Sequence, residues 1–303
     1  MSFLKNTWKN KTLLLMCVPA IIIFFLFSYM PMGGLVLAFK KFDFSLGFAS
    51  PWSGLENFKF IFNSGEIFSR ITKNTIFYFL LFTVFGTIFN VTLAIAINEL
   101  AFKKAGKLFQ SVMIIPAFIS AMAVSYVVNA FLSTDKGMLN QLLAAFGKDS
   151  VRWYLDASVW PLILLIVKIW QGTGYGSVLY LSVLSGIDQE MYEAADLDGA
   201  SKWKQIRYIT IPMLIPMITV MTLLSIGGIM HSDTGLFYQV TKNTGALYST
   251  TQVIDSYVLN AIMTSSNFGT TAAVTLYQSL VGFILVIVVN LIVRKIEPEN
   301  ALF

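Results

Sequence analysis

Residues 185–211 read SGIDQEMYEAADLDGASKWKQIRYITI, and this polar stretch runs directly into Pro212. It separates two long apolar runs and is too long to be a simple turn between them. Asp188 and the acidic residues near it are typical of a helix N-terminus. Gly199 interrupts that helix, and apolar residues return at helical spacing after Ser201. The stretch therefore predicts two short helices joined at an angle.

Apolar runs flank this stretch and recur along the chain, each long enough to cross a bilayer. A helix needs about 20 residues to span about 30 Å of hydrocarbon. We predict six membrane helices, listed here by approximate residue numbers: 13–39, 71–97, 108–132, 158–184, 212–230 and 270–293. Because 56% of the residues are hydrophobic and only 12% are charged, the composition nearly excludes a water-soluble fold. The expected fold class is an all-α membrane protein, with residues 1–303 forming a single transmembrane domain.

The first apolar run follows Lys5, Lys9 and Lys11, a beginning shared with secretory signal peptides. It is longer than the apolar region of about 7–15 residues in such peptides, and no small-residue cleavage site closes it before Pro31. We therefore predict a retained membrane helix. The single cysteine, Cys17, lies within this run, which excludes an intramolecular disulfide and a cysteine metal cluster.

The distribution of basic residues predicts the orientation in the membrane. With both termini inside, the four inner segments carry eleven of the 21 Lys and Arg residues, and the longer outer segments carry eight. Because Lys and Arg concentrate on the cytoplasmic side, this density favours two cytoplasmic termini. Lys168 lies inside the fourth predicted helix, where an ionisable side chain usually faces the bundle interior or water.

The spacing within the quoted stretch resembles the Glu-Ala-Ala motif of the permease subunits of binding-protein-dependent ABC importers. The matching residues are Glu193-Ala194-Ala195, Gly199, Ile209, Ile211 and Pro212. The match departs only at Ile211, where the motif favours another aliphatic residue, Leu. Flanking segments are similar to the carbohydrate branch of these permeases, among them Tyr192, Asp198-Gly199-Ala200, Trp170-Gln171-Gly172 and Gly54-Leu55-Glu56-Asn57-Phe58. The C-terminal half, from Gly235 to Ser279, is similar to the subgroup that imports oligosaccharides from complex polysaccharides and glycans.

The resemblance implies a type I ABC importer permease with a cytoplasmic coupling helix between the fourth and fifth membrane helices. In the family, this helix inserts into a groove of the ATP-hydrolysing subunit, and closure of the ATPase pair turns the permease outward. The residues that the resemblance assigns to coupling are Glu193, Ala194, Ala195, Asp198, Gly199, Ala200 and Pro212. The chain is then expected to translocate a sugar or oligosaccharide into the cytoplasm without catalytic residues of its own.

The implied partners are a second homologous permease, two copies of a cytoplasmic ATP-binding subunit, and an extracytoplasmic solute-binding protein, in the plasma membrane of a prokaryote. No Gly-x4-Gly-Lys-Ser/Thr segment occurs in the chain. We therefore expect ATP and Mg to bind at the partner ATPase and no cofactor to bind here. Nothing in the mild net charge of +5 suggests nucleic-acid binding.

A sugar path through the membrane would combine aromatic rings with amide, hydroxyl or charged hydrogen-bonding groups. The candidates for this path are Tyr126, Asn129, Lys168, Trp170, Gln171, Tyr175, Ser225, His231 and Asp233. Each of them also fits a helix contact or an interfacial position. The lone His231 has no Cys, Asp or Glu set at metal-ligand spacing, so we expect no metal site.

Two alternatives stay open at this point. An ABC permease for another small polar solute, such as glycerol phosphate, would carry the same coupling motif, although none of the predicted membrane helices contains an Arg. An ATP-independent channel or ion-coupled transporter would need carboxylates or a basic relay within the membrane. Lys168 is the only ionised side chain clearly inside a predicted membrane helix, which disfavours the second alternative.

Overall fold

The computed structural model describes residues 11–63, 65–100, 103–265 and 268–296. Within these ranges the chain is almost entirely helical, which confirms the all-α prediction, and an isolated antiparallel bridge joins Lys40 to Trp52. The physical reason is that a backbone in hydrocarbon must satisfy its N–H and C=O groups inside its own segment, as a helix does.

The α-helices, in chain order, are α1 (Lys11–Phe24), α2 (Lys59–Asn63), α3 (Gly65–Asn98), α4 (Lys103–Ile114), α5 (Ala121–Leu132), α6 (Met138–Ala145), α7 (Trp160–Leu184), α8 (Gln189–Leu197), α9 (Lys202–Gln205), α10 (Ile211–Ile226), α11 (Tyr248–Thr251), α12 (Ile254–Ser265) and α13 (Phe268–Ile296). Wider π-helical turns occupy Phe25–Tyr29, Ile206–Thr210 and Gly235–Val240. Tighter 3₁₀ turns occupy Met30–Phe39, Gly47–Ala49, Glu56–Phe58, Ile115–Phe118, Trp153–Leu155 and Gly245–Leu247.

Five helical segments of the described chain are long and apolar enough to cross a membrane, and a bent pair raises the number to six if it counts as one crossing. The five are Leu14–Phe39, Gly65–Asn98, Trp160–Leu184, Lys202–Ile226 and Phe268–Lys295. Each overlaps one of the predicted membrane helices. The fifth predicted helix, 212–230, corresponds to a segment that begins ten residues earlier, at Lys202.

That early start depends on a widened turn before Pro212. A proline inside a helix lacks an N–H donor and its ring clashes with the carbonyl four residues earlier. The π-helical turn Ile206–Thr210 ends two residues before Pro212, and the helix continues from α9 through α10. The second short helix of the quoted stretch is thus the first part of a membrane-length helix.

The stretch predicted as one helix over 108–132 is broken in the structure. Gly106–Phe118 and Ala121–Leu132 meet at a bend of 98°. Pro116 lies in the 3₁₀ turn at the break, and Ser120 has extended backbone angles, with its side chain accepting a hydrogen bond from the Ala123 N–H at 3.3 Å. Ser120 therefore caps a new helix rather than continuing the old one.

The described chain divides into two compact units. The first comprises Met1–Gly65 and Ala261–Tyr277, as far as they are described. Within it, Asn57 donates hydrogen bonds to the carbonyls of Ala38 and Lys40, both at 2.9 Å. These bonds satisfy carbonyls at the end of the first apolar helix, where the backbone has no helical partners.

The second unit comprises Glu66–Asn260 and Gln278–Phe303, again as far as they are described. Its largest core is built around the π-helical turn Gly235–Val240, which packs against α5, and around Trp160 at the start of α7. Gly174 and Gly176 permit close helix contact. A side chain at Gly174 would overlap the Met113 carbonyl, and one at Gly176 would overlap the Asn90 side chain. This unit contains all the candidate site residues.

Candidate functional sites

The helix α8 is bounded by two local backbone signals. At its start, the Asp188 carboxylate accepts a hydrogen bond from the Glu190 N–H at 3.0 Å. At its end, Gly199 has φ +72°, and the N–H groups of Gly199 and Ala200 donate to the carbonyls of Asp196 and Ala195 at 3.0 and 2.9 Å. This is the Schellman pattern, in which a glycine in left-handed conformation closes the helix.

Two side-chain contacts hold α8 against the start of the next membrane helix. The Tyr192 hydroxyl lies 3.0 Å from the Thr210 hydroxyl oxygen. The side chain of Gln205 is buried, donates to the Asp196 carboxylate and accepts from the Lys202 ammonium. The sequence analysis did not select Asp196 or Gln205, because nothing local indicates a contact across the glycine bend.

The remaining faces of α8 and α9 are open. No residue of α8 is buried, and Leu197 and Trp203 are 89% and 71% exposed. Of the residues expected to act in coupling, Glu193, Ala194, Asp198, Gly199 and Pro212 are exposed, while Ala195 and Ala200 are half-buried. Exposed large apolar side chains beside a helix that carries carboxylates are typical of a surface that binds another protein.

A cavity of about 910 Å³ lies beside α8. It is lined by the C-terminal ends of α3 and α7, by the middle of α4, and by Tyr192, Glu193 and Asp196 of α8. The Glu193 side chain therefore borders this cavity.

Two of the path candidates meet in an ion pair. The Lys168 ammonium on α7 lies 3.0 Å from a carboxylate oxygen of Asp233, in the segment after α10. Burial works against ionisation of the Asp233 carboxyl, but the charge of Lys168 and the backbone N–H groups of Leu236 and Gly235 outweigh it and lower its pKa. Both side chains remain about 40% exposed, at 38% and 41%.

The other path candidates do not form one cluster. Gln171 donates to the Ile119 carbonyl at 3.0 Å, which satisfies the backbone at the break before α5. Asn129 accepts from the Lys242 ammonium at 2.5 Å, and that ammonium lies 5.0 Å from the centre of the Tyr154 ring. The aromatic candidates Tyr126, Trp170 and Tyr175 are 70%, 43% and 63% exposed, and the Ser225 hydroxyl donates to the Thr222 carbonyl within α10 at 2.7 Å.

His231 contacts a carboxylate that the sequence analysis did not select. Its Nδ1 lies 3.6 Å from Asp255 on α12. The same carboxylate accepts from the N–H and hydroxyl of Ser232 at 2.6 and 2.8 Å, and from Gln278 on α13 at 3.3 Å. The buried Gln278 also donates to the Met230 carbonyl at 2.8 Å. This network connects the segment after α10 to α12 and α13.

The contacts in this network shift two pKa values. The Asp255 carboxylate, 3.6 Å from Nδ1, raises the pKa of His231, against the opposing effect of burial. Burial disfavours the ionised form of Asp255, but the nearby His231 imidazole and the hydrogen bonds from Ser232 and Gln278 outweigh it and lower its pKa. In the described part of the chain, no group of three or more His, Cys, Asp and Glu residues is placed to hold a metal ion.

The chain is similar to known membrane components of transport systems over most of its length. Residues 90–298 match the model of the family described as binding-protein-dependent transport system inner membrane component. The polygalacturonan/rhamnogalacturonan transport system permease protein YteP of Bacillus subtilis is 30% identical over 293 residues, which cover 96% of this chain and 90% of YteP. A crystal structure of a bacterial ABC transporter that imports the acidic polysaccharide alginate contains a chain with TM-score 0.87 and 30% identity, covering 98% of this chain and 100% of its own. A second alginate transporter structure, in complex with a periplasmic protein bound to alginate pentasaccharide, gives TM-score 0.85 and 30% identity, covering 96% and 97%.

Proposed function

The chain belongs to the binding-protein-dependent transport system inner membrane components, and from this premise we propose that it is the oligosaccharide permease of an ATP-driven importer. It forms the membrane-spanning path and leaves ATP hydrolysis to a partner subunit. The substrate class is supported by the polygalacturonan and rhamnogalacturonan named for YteP and by the alginate transporters. Family membership also removes the earlier alternative of a channel or ion-coupled transporter.

The observation that carries this proposal is the exposed helix α8 between two membrane-length helices. The Gly199 cap and the Asp196–Gln205 and Tyr192–Thr210 contacts attach it firmly to the start of the α9–α10 segment. A displacement of α8 by a bound protein is therefore transmitted to a helix that continues through the membrane. The small side chains of Ala194 and Ala195 let the helix enter a groove, and the Glu193 carboxylate is available to a basic or hydrogen-bonding partner.

We propose three kinds of partner for the working importer. Two cytoplasmic ATP-binding subunits, which hold ATP and Mg, bind α8 here and the equivalent helix of a second permease. The second permease supplies the other half of the path. An extracytoplasmic binding protein delivers the sugar, as supported by the alginate transporter that was solved with its periplasmic protein.

The sugar path is proposed to pass the exposed polar side chains of the second unit. Lys168, Asp233 and Tyr175 are the strongest members, because they are polar and exposed beside or within a membrane-length helix. Tyr126, Asn129, Trp170 and His231 are placed with them as further members. Gln171 serves the helix break instead, since its amide hydrogen bond goes to the Ile119 carbonyl.

The experiment that tests the function is affinity purification of the tagged chain from its native membrane in mild detergent, followed by mass spectrometry. We expect a Walker-motif ATPase and a second six-helix permease to accompany it, and the purified complex to hydrolyse ATP faster with sugar-loaded binding protein. Recovery of the chain without any ATPase would contradict the proposal.

A further inference from the structure

The two members of the Lys168–Asp233 pair are held very differently. The Asp233 carboxylate accepts from the Leu236 N–H at 3.1 Å and from the Gly235 N–H, so it is fixed to the turn that it precedes. Among the residues that the structure describes, the Lys168 ammonium has one hydrogen-bond partner, that same carboxylate, at 3.0 Å. An ammonium carries three donors. Lys168 therefore presents free donors to the open space around it.

The position of Lys168 on α7 indicates that this open space holds water. It lies eight residues after Trp160, which is about 12 Å along a helix that is long enough to span the membrane. Gly172 and Tyr175 are exposed on the same helical face, four and seven residues further on. A second exposed face is apolar and carries Leu162 and Ile166. Ionisable side chains at this depth face a bundle interior or a water-filled cavity, and a pair left about 40% exposed by the described chain fits the water-filled cavity.

We propose that Lys168 and Asp233 form an electroneutral element of the transport path that donates hydrogen bonds to sugar hydroxyls and cancels most of the preference for carboxylate-bearing sugars that a lone lysine would give. An anion bonded to the Lys168 ammonium would lie roughly 5 Å from the fixed Asp233 carboxylate, and repulsion at that distance offsets much of its attraction to the ammonium. A sugar hydroxyl meets no such repulsion. The inference rests on the proposed function for its path, and it makes Asp233 the residue that decides charge preference at this depth.

A thiol reporter beside the pair measures this preference without knowledge of the sugar. Cys17 is the only cysteine, so Cys17→Ser supplies a thiol-free background. Gly172→Cys then places a thiol one helical turn from Lys168, where an added side chain meets no atom within 4 Å. Native membranes containing the assembled complex are treated with a membrane-impermeant anionic thiosulfonate or with its cationic counterpart. The ratio of the two labelling rates reports the local charge.

With the pair intact, we expect the anionic-to-cationic rate ratio of the Gly172→Cys thiol to match that of a free thiol. Asp233→Asn should raise this ratio by about fivefold, and Lys168→Met should lower it by a similar factor, because each leaves one charge close to the thiol. The double variant should return to the starting ratio. The double variant can still be measured if either single variant fails to accumulate in the membrane. Ile166→Cys, on the apolar face, is the matched control and should label slowly with both reagents.

Two results would overturn the proposal. One is a Gly172→Cys thiol that reacts with neither reagent while a detergent-unfolded sample reacts with both, since the pair would then not face water. The other is a rate ratio that neither substitution moves. Because the labelling uses no sugar and no ATP, either result is independent of the purification experiment that tests the importer function.

Discussion

At the scale of single residues, the backbone conformation at Gly199 favours glycine over other residue types. Its φ of +72° lies in the left-handed region, and the bonds from Gly199 and Ala200 close α8. A side chain at this position costs about 1 kcal/mol or more, because its Cβ crowds the following carbonyl. Gly199 also lies at the bend through which α8 connects to the α9–α10 segment.

We therefore expect Gly199→Ala to loosen the end of α8 and to lower sugar uptake per ATP hydrolysed by roughly fivefold, while the chain still inserts into the membrane. The measurement is uptake and ATP hydrolysis in the same reconstituted complex. Gly199→Asn is the matched control, since Asn tolerates left-handed angles, and it should retain most of the coupling. Equal uptake per ATP in wild type and Gly199→Ala would count against the coupling role of α8.

Two glycines of α7 differ in how closely other atoms pack against them. At Gly174 a methyl group would overlap the Met113 carbonyl of α4, whereas at Gly172 nothing lies within 4 Å. We expect Gly174→Ala to destabilise the protein by about 1–3 kcal/mol through overpacking. Gly172→Ala should be neutral or slightly stabilising, because Ala has the higher helix propensity. Thermal unfolding of both variants in detergent checks the difference, and equal melting temperatures would contradict the close packing of α4 and α7.

At the scale of elements, the Asp255 network joins the segment after α10 to α12 and α13. Its His231 is the group whose charge changes near neutral pH. Since the folded pKa of His231 is raised, the protonated imidazole contributes stability that is fully present below a pH of about 6.5. That contribution is lost as the pH rises through the folded pKa.

We accordingly expect the melting temperature of the wild type to fall by about 1–2 °C more than that of His231→Gln between pH 6 and pH 9. Asp255 has a lowered pKa and stays ionised throughout this range, so it adds no slope of its own. Melting curves at matched ionic strength provide the measurement. Parallel pH profiles for the two proteins would refute the His231–Asp255 contact.

At the scale of the whole molecule, the orientation in the membrane decides which partners each surface meets. The proposal for α8 requires the stretch 185–211 to be cytoplasmic, and the higher density of Lys and Arg in the inner segments favours that side. With six crossings, the same orientation predicts that both termini lie in the cytoplasm.

We expect an epitope at either terminus to resist protease in intact spheroplasts and to be cleaved in inside-out vesicles. The same epitope inserted at Gly147, an exposed turn with φ +68° between α6 and α7, should show the opposite pattern. Cleavage of a terminal epitope in spheroplasts would place α8 outside and would remove its access to an ATPase.

Much of the candidate coupling site could be predicted because its signals are local. The acidic start, the Ala pair and Gly199 bound α8 in the sequence as they do in the structure, where the helix runs from Gln189 to Leu197. Its anchoring could not be predicted in this way. Gln205 contacts Asp196 only because the glycine bend folds α9 back beside α8, and no periodic pattern encodes that angle.

The candidates for the transport path could be selected from the sequence one by one, but their contacts could not be predicted. Lys168 and Asp233 were both selected, each for its polarity at or beside a membrane helix, yet the pair forms across 65 positions of sequence. Asp255 and Gln278 were not selected at all. They became recognisable only when α12 and α13 placed them beside His231.

The sequence by itself determined the helical membrane class, the approximate positions of the apolar helices and the position of the short helix α8, which we propose binds the ATPase partner. These depend on composition, on runs of about 20 apolar residues and on a fixed spacing, all of which are local along the chain. Only the tertiary structure decided that the stretch 108–132 breaks at Ile119 and Ser120, that Lys168 meets Asp233, and that His231 meets Asp255. Such contacts depend on how helices pack in three dimensions, because a salt bridge or hydrogen bond forms over about 3 Å whatever the distance along the chain.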